Sequence, residues 1–181
     1  HDVESYVTNE KIGSFSITPS NKYKKYDPEN YELAVMMDCS QCPIHEDRKD
    51  LFDYYVDKHS KTLRASGVEP ALMMTWAYKD KPEMIKGLSS AYTAAGNRNE
   101  IMVFPVGLAF KLAQEDIPDI DLYTPDKRHP SKAGTYLMAA VIFSSVYNVN
   151  PVGNSYDYGL SKQEQERLQD IAWKAYNNYI K

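Results

Sequence analysis

Residues 70–75 read Pro-Ala-Leu-Met-Met-Thr, a short apolar run between polar segments. Two comparable runs flank it along the chain, residues 33–37 before it and residues 101–105 after it. Continuous apolar runs of this length are typical of strands that are buried on both faces, as in a parallel sheet. The three runs therefore predict three buried strands.

Segments with helical spacing separate and follow these runs. Apolar side chains recur at helical intervals along residues 47–66, and Gly67 is placed to end that helix in a left-handed cap. A second helix is predicted from Pro82, at its first turn, to Gly96, at its end. The order strand, helix, strand, helix, strand predicts an α/β protein with a parallel sheet and right-handed crossovers.

The last third of the chain predicts further helices around an acidic loop. Residues 106–113 suit a short helix, Ser131 is placed to cap another, and residues 161–179 carry an apolar stripe that fits a sheet face. In parallel α/β sheets, ligands bind beyond the carboxyl ends of the strands. The predicted site therefore draws on residues 38–42, 75–78 and 105–107.

Composition limits the classes of protein. The chain has 181 residues, of which 43% are apolar and 25% charged, which is typical of a single globular domain spanning residues 1–181. Residues 1–30 carry little structural signal. A formal net charge of −4 gives no bulk attraction to nucleic acid, and Pro105 and Gly107 interrupt the longest apolar stretch, so no membrane span is predicted.

The predicted sheet is small. Three strands are fewer than the five or so that are usual in open α/β sheets, and the sequence begins with His1 rather than Met. Together these features predict that strands are missing on the N-terminal side, because residues upstream have been removed.

Asp126-Lys-Arg-His129-Pro-Ser131 contains the strongest candidate for chemistry. Pro130 fixes the backbone just after His129, and a polar turn there allows the Asp126 carboxylate to fold back onto the imidazole. A carboxylate that holds one ring nitrogen leaves the other free to act as a base.

This block, followed by Gly134, Tyr136 and Leu137, resembles the last conserved block of the SGNH or GDSL-type serine hydrolase superfamily. Residues 34–43, 72–77 and 151–153 are similar to segments of a bacterial-type SGNH subgroup. The resemblance extends from about residue 31 to residue 181.

The resemblance implies a three-layer α/β/α, flavodoxin-like fold and ester hydrolysis by a serine nucleophile, without metal or cofactor. His129 is then the general base, Asp126 orients it, and the substrate is a small-molecule ester or an acylated carbohydrate. The family's first block, a strand that ends in a Gly-Asp-Ser or Gly-Asn-Ser turn, is not found. We expect the nucleophile to come from an absent upstream segment or from a companion chain.

Other residues are expected near the site as oxyanion or substrate-binding groups. Ser40 and Gln41 follow the first predicted strand, and Gln41 is the nearest amide donor because Met37 stands where the subgroup usually has Gln. Trp76 and Tyr78 follow the second strand, where they either wall a substrate cleft or serve packing.

Cys39 and Cys42 have Cys-x-x-Cys spacing, with His45 three residues further on. A zinc site, a local disulfide and two free thiols remain open, although zinc lacks an obvious fourth ligand. His59 lies on an apolar helical stripe, which is typical of an interior histidine.

A second class of function remains open. A chain that keeps the fold but lacks the nucleophile could be a non-catalytic module with a binding or structural role in an assembly. The missing block and Met37 favour that alternative, whereas the Asp126 and His129 pair favours an enzyme.

Overall fold

The computed structural model describes residues 31–181 and, upstream of them, the backbone of two short antiparallel strands, β1 (Ser16–Ile17) and β2 (Tyr23–Lys24). The sequence prediction of missing N-terminal strands concerns a part of the protein that lies outside the described residues.

The described core is an α/β arrangement, as the sequence predicted. Its strands are β3 (Leu33–Met36), β4 (Glu69–Met73) and β5 (Met102–Phe104), and its helices are α1 (Lys49–Arg64), α2 (Met84–Asn99), α3 (Val106–Asp116), α4 (Lys132–Tyr147) and α5 (Lys162–Ile180). A short 3-10 helix, Cys42–Ile44, follows β3. None of the described helices is long and apolar enough to cross a membrane.

The three strands form a parallel sheet in the order β3-β4-β5. Ala34 is paired with Pro70, and Leu72 is paired with both Met36 and Val103. All three strands therefore point their carboxyl ends toward the same edge of the sheet, where ligands of such folds bind.

The central strand β4 is buried on both faces, which explains its continuous apolar run. Ala71 and Met73 pack in one apolar cluster with residues of α3, α4 and α5. Leu72 and Met74 pack in a second cluster with residues of α1 and α2. Side chains that alternate along β4 and just after it thus pack against two different sets of helices. The hydrophobic stabilisation is concentrated in these two clusters.

The helix ends agree with the sequence at some positions and differ at others. Ser131 caps α4 as predicted, because its side chain accepts a hydrogen bond from the Gly134 N–H. The predicted end of α2 at Gly96 is wrong: α2 continues to Asn99, and Glu100, at φ 55°, is the left-handed cap. A Cβ on Gly96 would lie 2.4 Å from Val103 Cγ2, so this glycine permits close contact between α2 and β5.

Candidate active site

The candidate site is built on the loop of residues 124–131, between α3 and α4. There His129 Nδ1 lies 2.5 Å from Asp126 Oδ2. A carboxylate in this position accepts the hydrogen bond of an Nδ1–H and leaves Nε2 as the basic nitrogen. The imidazole is 79% exposed, and its Nε2 makes no hydrogen bond with any residue that the structure describes. The arrangement can take a proton from a group that approaches from solvent.

The second carboxylate oxygen of Asp126 fixes the loop around it. Oδ1 accepts hydrogen bonds from the Thr124 hydroxyl at 2.7 Å and from the backbone N–H groups of Arg128 at 2.8 Å and His129 at 3.0 Å. The hydrogen bond with the His129 side chain, followed by those from the backbone of His129 and Arg128, holds the pKa of Asp126 well below its usual value. The carboxylate therefore stays charged across the neutral range.

The loop is closed by its own backbone. The Thr124 N–H donates to the His129 carbonyl at 2.9 Å, and the Lys127 N–H donates to the Thr124 carbonyl at 2.9 Å. Lys127 has φ 64°, in the left-handed region that residues other than glycine rarely adopt. Its conformation turns the chain so that Asp126 faces His129 three residues later.

The segment after β4 holds this loop in place. Trp76 Nε1 donates to the Arg128 carbonyl at 2.8 Å, and the Lys79 N–H donates to the Lys127 carbonyl at 2.9 Å. Trp76 is buried, and its ring stacks on Phe110 with 4.9 Å between centroids. The sequence left two roles open for Trp76, and this burial favours packing over an exposed cleft wall. Its hydrogen bond to the Arg128 carbonyl also positions the loop.

Tyr78 lies at the surface next to the same loop. The Arg128 guanidinium sits 5.0 Å from the centroid of its ring, a cation–π distance. Lys79, in the segment after β4, forms an ion pair of 2.7 Å with Asp121, which precedes the loop in sequence. The sequence did not predict Thr124, Lys79 or Arg128 as part of the site. The only local signal was the hydroxyl of Thr124, a hydrogen-bond donor two residues before Asp126.

The start of α4 anchors the far end of the loop. Besides capping the helix, Ser131 donates from its hydroxyl to the Asp121 carbonyl at 2.7 Å, and its N–H donates to the Leu122 carbonyl at 2.9 Å. A Cβ on Gly134 would lie only 2.3 Å from that Leu122 carbonyl oxygen. Glycine at this position lets α4 begin directly against the backbone that leads into the loop.

Ser40 and Gln41 lie in a separate turn after β3. Cys39 and Cys42 form a disulfide across this turn, which settles the alternatives left open by their spacing. Both sulfurs are bonded to each other, and His45 accepts a hydrogen bond at Nδ1 from the Asp47 N–H, so these three residues do not form the zinc site considered from the sequence. Among the described residues, no hydrogen bond joins Ser40 or Gln41 to the 124–131 loop.

The turn that contains the disulfide begins next to a buried tyrosine. The Asp38 N–H donates to the Tyr92 hydroxyl at 3.4 Å, and Asp38 Oδ1 accepts from the Cys39 N–H at 2.7 Å. Burial raises the pKa of Tyr92 to about 12, so its hydroxyl keeps its proton. Met37, in contrast, is 42% exposed and offers no hydrogen-bond donor.

A Gly-Asn-Ser tripeptide occurs at Gly153-Asn154-Ser155, but no strand precedes it. It lies between α4 and α5, where the Gly153 N–H donates to Gln169 Oε1 and the Asn154 carbonyl accepts from Gln169 Nε2. This backbone serves to bind Gln169, and no hydrogen bond joins Ser155 to His129 in the described part of the chain. The tripeptide is thus not the strand-ending turn expected of the nucleophile.

Comparison with known proteins bears on the fold. No protein-family model matches the chain, and no curated protein matches it. The fold is similar to that in the crystal structure of a DUF4886 family protein from Bacteroides uniformis ATCC 8492, with a TM-score of 0.74 over 92% of this chain and 74% of that chain. The two sequences are 16% identical, so the likeness is one of fold and carries no function with it.

Proposed function

We propose that this chain carries the base and the orienting carboxylate of an SGNH-type ester hydrolase. The observation that carries the proposal is the 2.5 Å contact between His129 Nδ1 and Asp126 Oδ2, with Nε2 of the same ring open to solvent. In such a site Nε2 takes the proton of a serine hydroxyl while the serine oxygen attacks the ester carbonyl. The protonated Nε2 then gives this proton to the alkoxide that leaves, which releases the alcohol and leaves an acyl-serine. In a second step Nε2 takes a proton from water as the water oxygen attacks the acyl-serine, and it returns that proton to the serine oxygen as the carboxylic acid is released.

The proposal includes the three-layer α/β/α form of the fold and a nucleophile from outside the described residues. A serine from an upstream segment or from a companion chain would have to approach His129 Nε2 at the carboxyl edge of the sheet. The loop of residues 124–131 supports this proposal, because it exposes the imidazole to solvent and orients it by contacts with described residues. The substrate class is a small carboxylic ester or an acylated carbohydrate.

The decisive experiment measures para-nitrophenyl acetate hydrolysis by the protein as isolated from its source, together with its intact mass. We expect His129→Ala to lower the rate by roughly 100-fold or more, the usual contribution of a general base. His45→Ala is the matched control, since an exposed imidazole can itself cleave this ester, and it should retain the wild-type rate. Ser40→Ala and Ser155→Ala should also retain it if the nucleophile lies elsewhere.

The same measurement distinguishes the hydrolase from the alternative, a non-catalytic module. A preparation that lacks turnover and contains no companion polypeptide would favour the non-catalytic module with a binding or structural role. Equal rates for the wild type and His129→Ala would likewise remove the proposed base. Loss of activity in Ser40→Ala or Ser155→Ala alone would keep the hydrolase but assign its nucleophile to this chain.

A further inference from the structure

A cleft of about 420 Å³ is lined by residues of α4, of α5 and of the segment that joins them. Its floor is formed by one side of α4 and its wall by the segment between α4 and α5. The lining residues are Thr135, Tyr136, Ala139, Ala140, Phe143, Pro151, Asn154, Tyr156, Tyr158 and Gln169. The volume lies within the range of roughly 300–1,000 Å³ that is typical of small-molecule sites.

The cleft presents aromatic faces that the fold does not bury. Tyr156 is 68% exposed and Tyr158 is 43% exposed, and their ring centroids are 6.3 Å apart. Phe143 contributes a third, half-buried ring from α4. Large aromatic side chains contribute to folding chiefly when they are buried, so the exposure of both tyrosines is not explained by packing.

The wall is held in one conformation. The N–H groups of Val152, Tyr156 and Gly159 each donate to an Asn or Asp side chain two residues earlier, at 2.8 to 3.0 Å. Beneath it, the Gln169 amide is buried and bonds to the Gly153 N–H, the Asn154 carbonyl and the Tyr136 hydroxyl. The aromatic rings are therefore displayed on a fixed backbone, which reduces the entropy lost when a ligand binds.

Three polar side chains of the cleft have unused hydrogen-bonding capacity. The Thr135 hydroxyl makes no hydrogen bond with any described residue, and neither does the side-chain nitrogen of Asn154, whose oxygen accepts from the Tyr156 N–H. Tyr136 accepts from Gln169 and keeps its own proton to donate. None of the ten lining side chains is charged.

From these observations we propose that the cleft binds a neutral carbohydrate. Sugar rings combine apolar C–H faces, which stack on aromatic rings, with hydroxyl edges, which need neutral donors and acceptors. The cleft supplies both, and it supplies no charge for an ionic ligand. Its volume, about 420 Å³, lies in the range of small-molecule sites and accommodates about one or two sugar rings.

The test uses this chain with cellotetraose, xylotetraose and mannotetraose as probes, and it detects binding by saturation-transfer NMR and titration calorimetry. We expect at least one of the three to bind at millimolar concentration or tighter, with transfer strongest to its ring C–H protons. Tyr156→Ala and Tyr158→Ala should each weaken that binding by about tenfold or more, as is usual for aromatic contact residues. Thr135→Val, which removes only a hydroxyl, should weaken it less.

Tyr54→Ala is the matched control. This tyrosine is 55% exposed and belongs to α1, it does not line the cleft, and its ring packs against Tyr55, which does not line the cleft either. It should leave binding unchanged, as should His129→Ala, because binding is read without turnover and is independent of the hydrolase proposal. The proposal is overturned if none of the three oligosaccharides binds, or if binding survives both Tyr156→Ala and Tyr158→Ala.

Discussion

The indole nitrogen of Trp76 donates a hydrogen bond of 2.8 Å to the backbone carbonyl of Arg128, the residue that precedes His129. This bond ties the segment after the central strand to the loop that carries the proposed base. Because Trp76 is buried against Phe110, the loop is fixed to the apolar core and not only to its own backbone. The position of the imidazole therefore depends on a core residue that never approaches the substrate.

Trp76→Phe tests this link. The variant keeps an aromatic ring in the core but removes the donor and part of the buried side chain, so it should lower stability by about 1–3 kcal/mol, from the lost hydrogen bond and the cavity together. Amide hydrogen exchange at Thr124 and Lys127, whose N–H groups close the loop, should become faster than in the wild type. Trp173→Phe, on α5, serves as the control and should leave exchange in the loop unchanged. Unaltered protection in Trp76→Phe would show that the loop holds its shape unaided.

Asp126 predicts a distinct acid dependence. Its pKa is lowered in the folded protein, chiefly by the hydrogen bond with His129, so its charge stabilises the fold above the ordinary carboxyl pKa of 3.8. That stabilisation is lost as the pH falls through the lower, folded-state pKa. Asp126→Asn should therefore melt below the wild type at pH 6, and the difference should shrink as the pH falls below about 4.

Thr124→Val provides a graded comparison for Asp126. It removes one donor to Oδ1 and leaves the backbone N–H groups and His129 in place. Its melting temperature at pH 6 should lie between those of the wild type and Asp126→Asn. Thermal unfolding followed by circular dichroism measures all three proteins, and a constant difference between pH 6 and pH 2 would contradict the assignment.

Gly134 predicts a steric effect at the start of α4. An added Cβ would lie 2.3 Å from the Leu122 carbonyl oxygen and 3.1 Å from Phe110 Cζ, and backbone cannot yield as a side-chain end can. Gly134→Ala should cost about 1–3 kcal/mol in urea unfolding, despite the higher helix propensity of alanine. Gly87→Ala in α2 meets only the side chain of Ile44, so it should stay within about 1 kcal/mol of the wild type.

The sequence determined the strands and the helix caps more fully than the site. All three predicted strands form, because a continuous apolar run is a local signal. The prediction that all three are buried on both faces is wrong for β3 and β5, where Val35 and Met102 are each 46% exposed, since both strands lie at the edges of the described sheet. Ser131 caps α4 as its position predicted, which is again a local signal. Gly96 misled the prediction because this glycine serves a contact with Val103 in the following strand β5 and does not end the helix. The contacts that anchor the loop of residues 124–131 were missed because they are distant in sequence: Trp76 and Arg128 are separated by 52 residues, and no local pattern predicts a bond between them.

The Cys39–Cys42 disulfide could not be predicted from the sequence either. The Cys-x-x-Cys spacing was compatible with a zinc site, a disulfide and two free thiols. It closes a loop of four residues, and loop-closure entropy predicts that reduction lowers the free energy of unfolding by about 2 kcal/mol. Urea unfolding with and without dithiothreitol measures this difference. The double variant Cys39→Ser, Cys42→Ser should match the reduced wild type and be insensitive to the reductant. Free thiols detected in the unreduced, denatured protein would contradict the bond.

His59 on α1 predicts a loss of stability in mild acid. Burial, with the nearby charge of Lys58, lowers its pKa to about 4 from 6.5. The unfolded chain therefore binds a proton at higher pH than the folded protein does, so the stability that the neutral imidazole contributes is complete above 6.5 and declines as the pH falls toward 4. His59→Gln should make the melting temperature less dependent on pH between 7 and 5. NMR titration of the His59 ring should give a midpoint near 4, and a midpoint near 6.5 with an unchanged pH dependence would exclude this explanation.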